Sequence, residues 1–486
     1  MRGVLVAVLL VAALLGATPP ARAFIAPPPP PSTATPVPPL VWYGVASIGC
    51  ATVSPMAGTL LLGRELTVME VDRMTLSCFL GPLGWVLGPQ LFPDPVLTAL
   101  PPNSPNQPPP RQARGRHIDI PPRGLTAFVP NEILWEVDSG APAQYAADVA
   151  RRLGLTLLET QSFSLTGRTL QRWRIDANSS VRGTLGRLLP FTRITAQPNF
   201  VFRFGQAQPP AQTEAGAQYV VPKLHLMEAH KITSGDDVLV AVIDSKIDAS
   251  HPDLAGVIVD QYDALGGDTA AHMHGTGMAG AIAAHTKLLG VAPKVKLLAV
   301  HAFSGDKDGA QGTTFSILKG LDWAASKQAR IVNMSFAGPP DPMLTEMLGK
   351  AHARGMVLIA AVGNAGPRAP PMYPAADRVV IGVTATDADD KLLPQANRGP
   401  QVAIAAPGVM VLEPAPDGGY QVTTGTSVAA AHASGVAALL LARNPKLTPD
   451  QVRGLLVRSA RAVPGAKRDI GAGVIDALAA VDAIKR

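Results

Sequence analysis

Cysteine is nearly absent from this chain of 486 residues: there are two, Cys50 and Cys78, and none follows residue 78. Everything after that point is therefore barred from disulfide cross-linking and from thiolate metal sites. Aromatic residues make up 5% and charged residues 16% of the chain. The formal charge of +6 is also unevenly placed, because residues 111–205 hold 13 Arg, no Lys and 7 acidic residues, a surplus equal to that of the whole chain. The C-terminal half is thus close to neutral. Nucleic-acid binding needs clustered cations interleaved with stacking aromatics, so no nucleic-acid partner is expected. No internal repeat is present, and the length exceeds one ordinary domain.

What is abundant is proline, with 47 residues, and uncharged apolar sequence. Arg2 precedes an apolar run from Val4 to Leu15, and Ala21-Arg22-Ala23 offers small residues for signal peptidase, so residues 1–23 read as a signal peptide and the protein as exported, whether secreted, periplasmic or bound to the cell envelope. Residues 24–40 form a proline-rich linker, and residues 101–115 a second one. Between them, residues 41–100 contain two uncharged stretches, 41–63 and 74–93, around the charged segment Arg64 to Arg73. Each stretch approaches the length of a bilayer span, but Pro55, Pro82 and Pro89 favour a small buried or interfacial hairpin, so membrane association is an open expectation. Both cysteines fall in this hairpin region, and in an exported protein Cys50 and Cys78 are candidates for one disulfide.

Three short segments set far apart carry side chains with complementary chemistry. An apolar run from Val238 to Ile243 reads as a buried parallel strand delivering Asp244 at its C-terminal end, where open α/β sheets place their sites. His274 opens the run HGTGMAGAIAA, whose Gly275, Gly277 and Gly280 let a helix start close to neighbouring backbone. Ser427 follows Gly425-Thr426 and begins an apolar helix from Val428 to Ala442, so its N–H and the helix dipole point toward any anion formed there. Acid, base and nucleophile occur in the chain order of subtilisins. With Asn364 in AAVGNAG, these segments resemble the subtilisin-like (subtilase) serine proteases, peptidase family S8.

The resemblance implies that Ser427 attacks a peptide carbonyl, that His274 takes and returns its proton, that Asp244 orients the imidazole, and that Asn364 with the Ser427 N–H holds the oxyanion. It implies protein or peptide substrates and no required cofactor. Ser335, Phe336, Ala337 and Gly338, with Ala360, Ala361, Val362 and Gly363 and on to Gly366, are expected to wall the cleft and to pair with an extended peptide by strand addition. His251, His301 and His432 are read as structural.

Some positions depart from the family pattern. Lys246 stands where a glycine is usual, HGTG replaces HGTH at Gly277, and Ala431 replaces a proline. If the backbone at 246 needs positive φ, the lysine costs about 1 kcal/mol, and its ammonium is placed to favour an ionised Asp244. The stretch Ala284 to Leu289 is shorter than the loop that wraps calcium in many relatives. Calcium is therefore not assumed, although Asp306, Asp308, Asp387, Asp389 and Asp390 carry suitable oxygens. His272 and His274 have the spacing of a metal pair, but the second is assigned to the triad, so no metal ligands are named.

The expected fold is α/β: a parallel sheet with helices on both faces over residues 206–486, from strands at 238–244, 296–302, 330–335, 356–361, 379–384 and 402–406 and helices at 312–328 and 342–354. Residues 116–205 read as a separate small ferredoxin-like α+β unit. Its strands are ILWEV, 157–163, 170–175 and Phe200 to Phe204, and its helices Ala143 to Leu153 and Ser180 to Leu189. It is similar to the family's propeptides, which act as intramolecular inhibitors of the cleft, and processing is expected within Gly205 to Gly216. A protein of another class, a peptide-binding or membrane-assembly protein that keeps the cleft without turnover, is the alternative.

Overall fold

The computed structural model describes residues 117–142, 144–204, 218–267, 269–304 and 310–484. The signal peptide, both linkers, the two-cysteine hairpin, Asp306, Asp308 and the 205–216 processing window lie outside the described residues.

In the N-terminal described unit, β1 (Phe128–Val137), α1 (Tyr145–Leu153), β2 (Thr156–Phe163), β3 (Arg168–Arg174), α2 (Val181–Leu188) and β4 (Ile194–Arg203) follow the expected βαββαβ succession. Antiparallel pairing sets the order β4-β1-β3-β2. Ser180 accepts a hydrogen bond from the Gly183 N–H and so caps α2, as Ser, Thr, Asn and Asp commonly do. The sheet is buried on both faces. Ile133 and Trp135 pack with α1 and α2, whereas Leu134, Leu170, Phe200 and Phe202 join the core of the next domain. That is why β1 carries the unbroken apolar run Ile-Leu-Trp rather than an alternation.

β4 differs from expectation by starting at Ile194 instead of Phe200. Its polar Gln197 and Asn199 hid it, because hydrophobic alternation breaks there. Both face inward: the Met343 N–H donates to Gln197 Oε1 at 3.1 Å and the Phe315 N–H to Asn199 Oδ1 at 3.2 Å. They satisfy donors at the starts of two helices of the following domain, groups that no helix can satisfy for itself.

That domain contains β5 (Leu239–Ser245), β6 (Ile258–Asp263), α3 (Met273–Ala283), β7 (Lys296–Ser304), β8 (Gln311–Thr313), α4 (Thr314–Ser326), β9 (Ile331–Met334), α5 (Pro342–Ala353) and β10 (Val357–Ala361). There follow β11 (Val380–Thr386), β12 (Val402–Pro407), a hairpin of β13 (Val411–Ala415) and β14 (Gly419–Thr423), α6 (Thr426–Arg443) and α7 (Pro449–Ser459). Strands β12-β11-β10-β9-β5-β7 are parallel, with β6 also pairing β7. Alternate residues of one strand serve opposite faces. Val240 and Val242 pack with α3 and α6, while Ala241 and Ile243 pack with α4 and α5. The mostly parallel sheet covered on both faces is the architecture expected.

Helix α6 runs through the middle of the first of these cores. Every residue from Thr426 to Leu441 is buried, so its apolar composition serves packing. Truncating Leu440 there to alanine would cost about 2–5 kcal/mol, transfer plus cavity. Thr448 and Gln451 cap α7 reciprocally, with Pro449 at its first position. Sequence patterning missed β6, β8 and the β13–β14 hairpin, because β8 is only three residues long and the hairpin is largely polar on one strand.

Candidate active site

Asp244 sits near the end of β5, completely buried, and His274 is the second residue of α3. The His274 ring meets the carboxylate through Nδ1 and Asp244 Oδ1 at 2.7 Å. The same Oδ1 accepts the Ser245 N–H at 2.7 Å and its hydroxyl at 3.1 Å. Ser245 Oγ in turn accepts the Gly275 N–H at 3.0 Å, stitching β5 to the first turn of α3. Strand and helix approach so closely here that a Cβ at 275 would run into the Ser245 carbonyl. With Nδ1 held by a carboxylate, the proton is placed on that nitrogen and the Nε2 lone pair is left to act as a base. His274 Nε2 is buried and makes no hydrogen bond among the described residues.

Ser427 lies in the first turn of α6, buried, with its hydroxyl donating to the Ser335 carbonyl at 2.9 Å. The hydroxyl is therefore turned toward the cleft wall and not bonded to the imidazole. Ser335 Oγ donates to the Ser427 carbonyl at 2.9 Å and itself accepts from Asn333 Nδ2 at 2.9 Å, and Asn333 Oδ1 accepts from Ser434 at 3.0 Å. This buried relay ties β9 to α6 at the level of the serine. Asn364, three residues beyond β10, accepts the Thr426 N–H through Oδ1 at 3.2 Å. The network thus assigns Nδ2 as the donor end of that amide.

Of the expected cleft walls, Ser335 to Gly338 and Ala360 to Gly363 have different surroundings. The Ala337 N–H and C=O both bond to Arg203, each at 3.0 Å. Ala360 and Ala361 are interior to the sheet, paired with β11, and Ala360 also with Met334 of β9, while the Val362 N–H donates to Val383. Their backbone offers no free edge for an added peptide strand. The other strand paired with the end of β4 is β8, two of whose three residues, Gly312 and Thr313, fall in the span expected to be helical.

Lys246 also differs from expectation. Its φ is not positive, and its ammonium bonds the Thr269 carbonyl at 2.6 Å. His272 Nδ1 accepts the His274 N–H at 3.2 Å, and burial, then the neighbouring His274, holds its pKa below the ordinary histidine value. His251 bonds the Gly419 carbonyl at 3.0 Å, His301 pairs with Asp263 at 3.0 Å, and His432, buried against the Pro407 carbonyl at 2.8 Å, has its pKa pushed down to about 4 by burial. Asp390 is paired with Lys223 and Arg461, Asp389 with Lys391, and Asp387 accepts backbone N–H groups.

Two buried carboxylates went unnoticed in the sequence. Asp253 Oδ1 gathers the N–H groups of Thr286, Lys287 and Leu288, and its Oδ2 accepts the Tyr420 hydroxyl at 2.8 Å. The short 284–289 segment is thereby folded onto a carboxylate. Glu413, on β13, is 1% exposed and neither of its oxygens has a hydrogen bond among the described residues. It fills the space beside Gly277, where a Cβ would stand 2.6 Å from Glu413 Oε2. The glycine that departs from HGTH is thus the residue that makes room for Glu413. Burial first, then the charge of Asp244, pushes the Glu413 pKa up to about 8.

A profile of the subtilase family matches residues 235–473. Subtilisin DY from Bacillus licheniformis is 35% identical over 258 residues, which cover 50% of this chain and 92% of that protein. Thermitase from Thermoactinomyces vulgaris is 32% identical over 272 residues, 54% of this chain and 95% of that protein. Among solved structures, fervidolysin from Fervidobacterium pennivorans, a keratinolytic enzyme related to subtilisin, superposes with a TM-score of 0.63 at 23% identity, over 76% of this chain and 63% of that one. This chain spans under two thirds of that enzyme, and the likeness to it concerns the fold. On the sequence matches, the chain belongs to the subtilase family of serine endopeptidases.

Proposed function

We propose that this chain is an exported endopeptidase that cleaves peptide bonds through Ser427, His274, Asp244 and Asn364, and that it processes and is inhibited by its own residues 116–205. The observation that carries this reading is the buried Asp244–His274 contact at 2.7 Å beside a strand of the N-terminal unit whose Arg203 pairs with Ala337. Rotation of the Ser427 side chain about χ1 exchanges the Ser335 carbonyl for His274 Nε2, which then takes the hydroxyl proton as Oγ attacks the carbonyl carbon. Asp244 keeps the ring oriented and stabilises the imidazolium. The Ser427 N–H, at the start of α6, and Asn364 Nδ2 donate to the oxyanion. The imidazolium then returns its proton to the leaving amine, and water repeats the sequence on the acyl-enzyme. No step calls on a cofactor.

Intact mass and a serine-directed fluorophosphonate probe test this on the full chain beside Ser427→Ala. Wild type is expected to take up the label and to lose its N-terminal segment with a new terminus in residues 205–216, and the variant to do neither. Wild type that stays full length and unlabelled overturns the reading.

A further inference from the structure

Glu413 takes no part in the proton transfers, yet it lies where they are most sensitive to position. It sits opposite Gln421 in the β13–β14 hairpin, which is laid along one face of α3, the helix that carries His274. Met273, Gly277 and Gly280 line that face, spaced four and three residues apart. Gln421 Nε2 donates to the Met273 carbonyl at 2.7 Å and to that of Pro414 at 3.3 Å. A Cβ at 277 would stand 2.6 Å from Glu413 Oε2 and 3.0 Å from Gln421 Nε2, and one at 280 would enter the ring of Pro414. The two glycines therefore let the hairpin down onto the helix, with Glu413 at the contact.

The other end of the hairpin leads to the nucleophile. β14 ends at Thr423, four residues before Ser427, and the link is pinned: Thr424 Oγ1 accepts the Met410 N–H at 3.0 Å, and the Gly425 N–H donates to the Gly408 carbonyl at 2.8 Å. Base and nucleophile are thus joined through β13–β14 as well as through the apolar core that α3 and α6 share. The core holds the bodies of the two helices, whereas the hairpin bears on their first turns, where both reacting groups sit.

We propose that Glu413 is a positioning residue for the His274–Ser427 pair: as the neutral acid it seats the hairpin on α3 at Gly277, and its ionisation lifts the hairpin and misaligns base and nucleophile. The proposal rests on the endopeptidase reading and adds to it a residue that acts without touching substrate. Glu413 is 1% exposed and its oxygens have no hydrogen bond among the described residues, so a charge there meets no donor. β5, α3 and β14 contain no lysine or arginine to pair with it. β5 contributes Asp244, whose charge opposes a second one, and the titratable side chain of α3, His274, is held by that same Asp244. Tyr420 of β14 is bound to Asp253, and His432 of α6 to the Pro407 carbonyl. Burial and then Asp244 raise the pKa of Glu413 to about 8, so the seat is lost on the alkaline side.

The test follows the pH dependence of fluorophosphonate labelling at Ser427 in the full chain after its own processing, resolving the maximal rate constant kinact from the half-saturating concentration KI. Wild-type kinact is expected to fall from a midpoint near pH 8. The loss should reach roughly a hundredfold by about pH 10, the scale of an ångström of misplacement, while KI stays within about threefold. Glu413→Gln and Glu413→Met, neither able to ionise, should each lose less than about threefold of its own pH 6.5 value over the same range. Gln421→Met, which keeps the bulk and drops the bond to Met273, should cost about tenfold in kinact already at pH 6.5 with KI unchanged. A merely structural Glu413 would change melting without changing the shape of these profiles. If wild type and both Glu413 variants share one alkaline profile, or if Gln421→Met labels at the wild-type rate, the inference is overturned and the endopeptidase reading stands. A chain that never labels overturns both.

Discussion

Phe204 lies flat on the imidazole of His274, their ring centroids 3.6 Å apart. The base expected to activate Ser427 is thus covered by a residue of the segment that precedes the peptidase domain. Anything that reaches that face of the imidazole must displace Phe204.

The Asp244–His274 bond fixes the tautomer that leaves Nε2 basic. Asp244→Asn is expected to fold normally and to lose about 10⁴-fold in kcat, the scale of loss when this tautomer is reversed in a serine protease. Retained thermal stability with normal turnover would show that the carboxylate is dispensable.

Asn364 is held through Oδ1 by the Thr426 N–H. Asn364→Leu should lower kcat by about a hundred- to a thousandfold with KM nearly unchanged, because an oxyanion donor acts mainly in the transition state. Steady-state kinetics on a peptide substrate separate the two constants. A rise in KM at constant kcat would instead place Asn364 in ground-state binding.

Glu413 makes the molecule sensitive to alkali. Its folded pKa of about 8 lies above the ordinary 4.5, so the folded state holds a proton that the unfolded state releases. Its contribution to stability is fully present below about pH 4.5 and is lost as pH rises to about 8, at about 1.4 kcal/mol per pH unit at most. Glu413→Gln cannot ionise, so its denaturation midpoint should overtake that of wild type as pH rises from 5 to 9. A constant difference across that range would mean that Glu413 ionises freely.

Asp253 collects N–H and O–H donors from the 286–288 turn and Tyr420. Burial opposes its charge, but the Tyr420 hydroxyl and the Lys287, Leu288 and Thr286 N–H groups outweigh that and hold its pKa below the usual carboxylate value. Its contribution to stability is therefore present above the ordinary carboxylate pKa and lost as pH falls through the folded one. Asp253→Ala leaves several donors unpaired and should cost about 3 kcal/mol or more near neutral pH. A turn whose donors point inward also presents the wrong polarity to a cation. A chelator is accordingly expected to leave the melting temperature unchanged, and a fall of many degrees would reveal a calcium site elsewhere.

The alternation of strands and helices was legible in the residues, because strands buried on both faces must be apolar throughout and such runs stand out. Val238 to Ile243 and Val357 to Ala361 are of this kind, and both became strands. The start of β4 was not legible, since Gln197 and Asn199 are polar yet buried and their reason lies in helices over a hundred residues away. β8 is too short for any periodicity to show.

The same division runs through the site. Local sequence sufficed to place Asp244 at a strand end and His274 and Ser427 at helix starts, because strand ends and caps are set by neighbouring residues. The meaning of Gly277, the seat of Phe204 on His274 and the capture of the 284–289 turn by Asp253 depended on partners from other parts of the chain: Glu413, Phe303 and Tyr420. Such contacts leave no period or spacing in the sequence. They come into being when separate elements pack against one another, and only then does a missing side chain at one position become the room another residue needs.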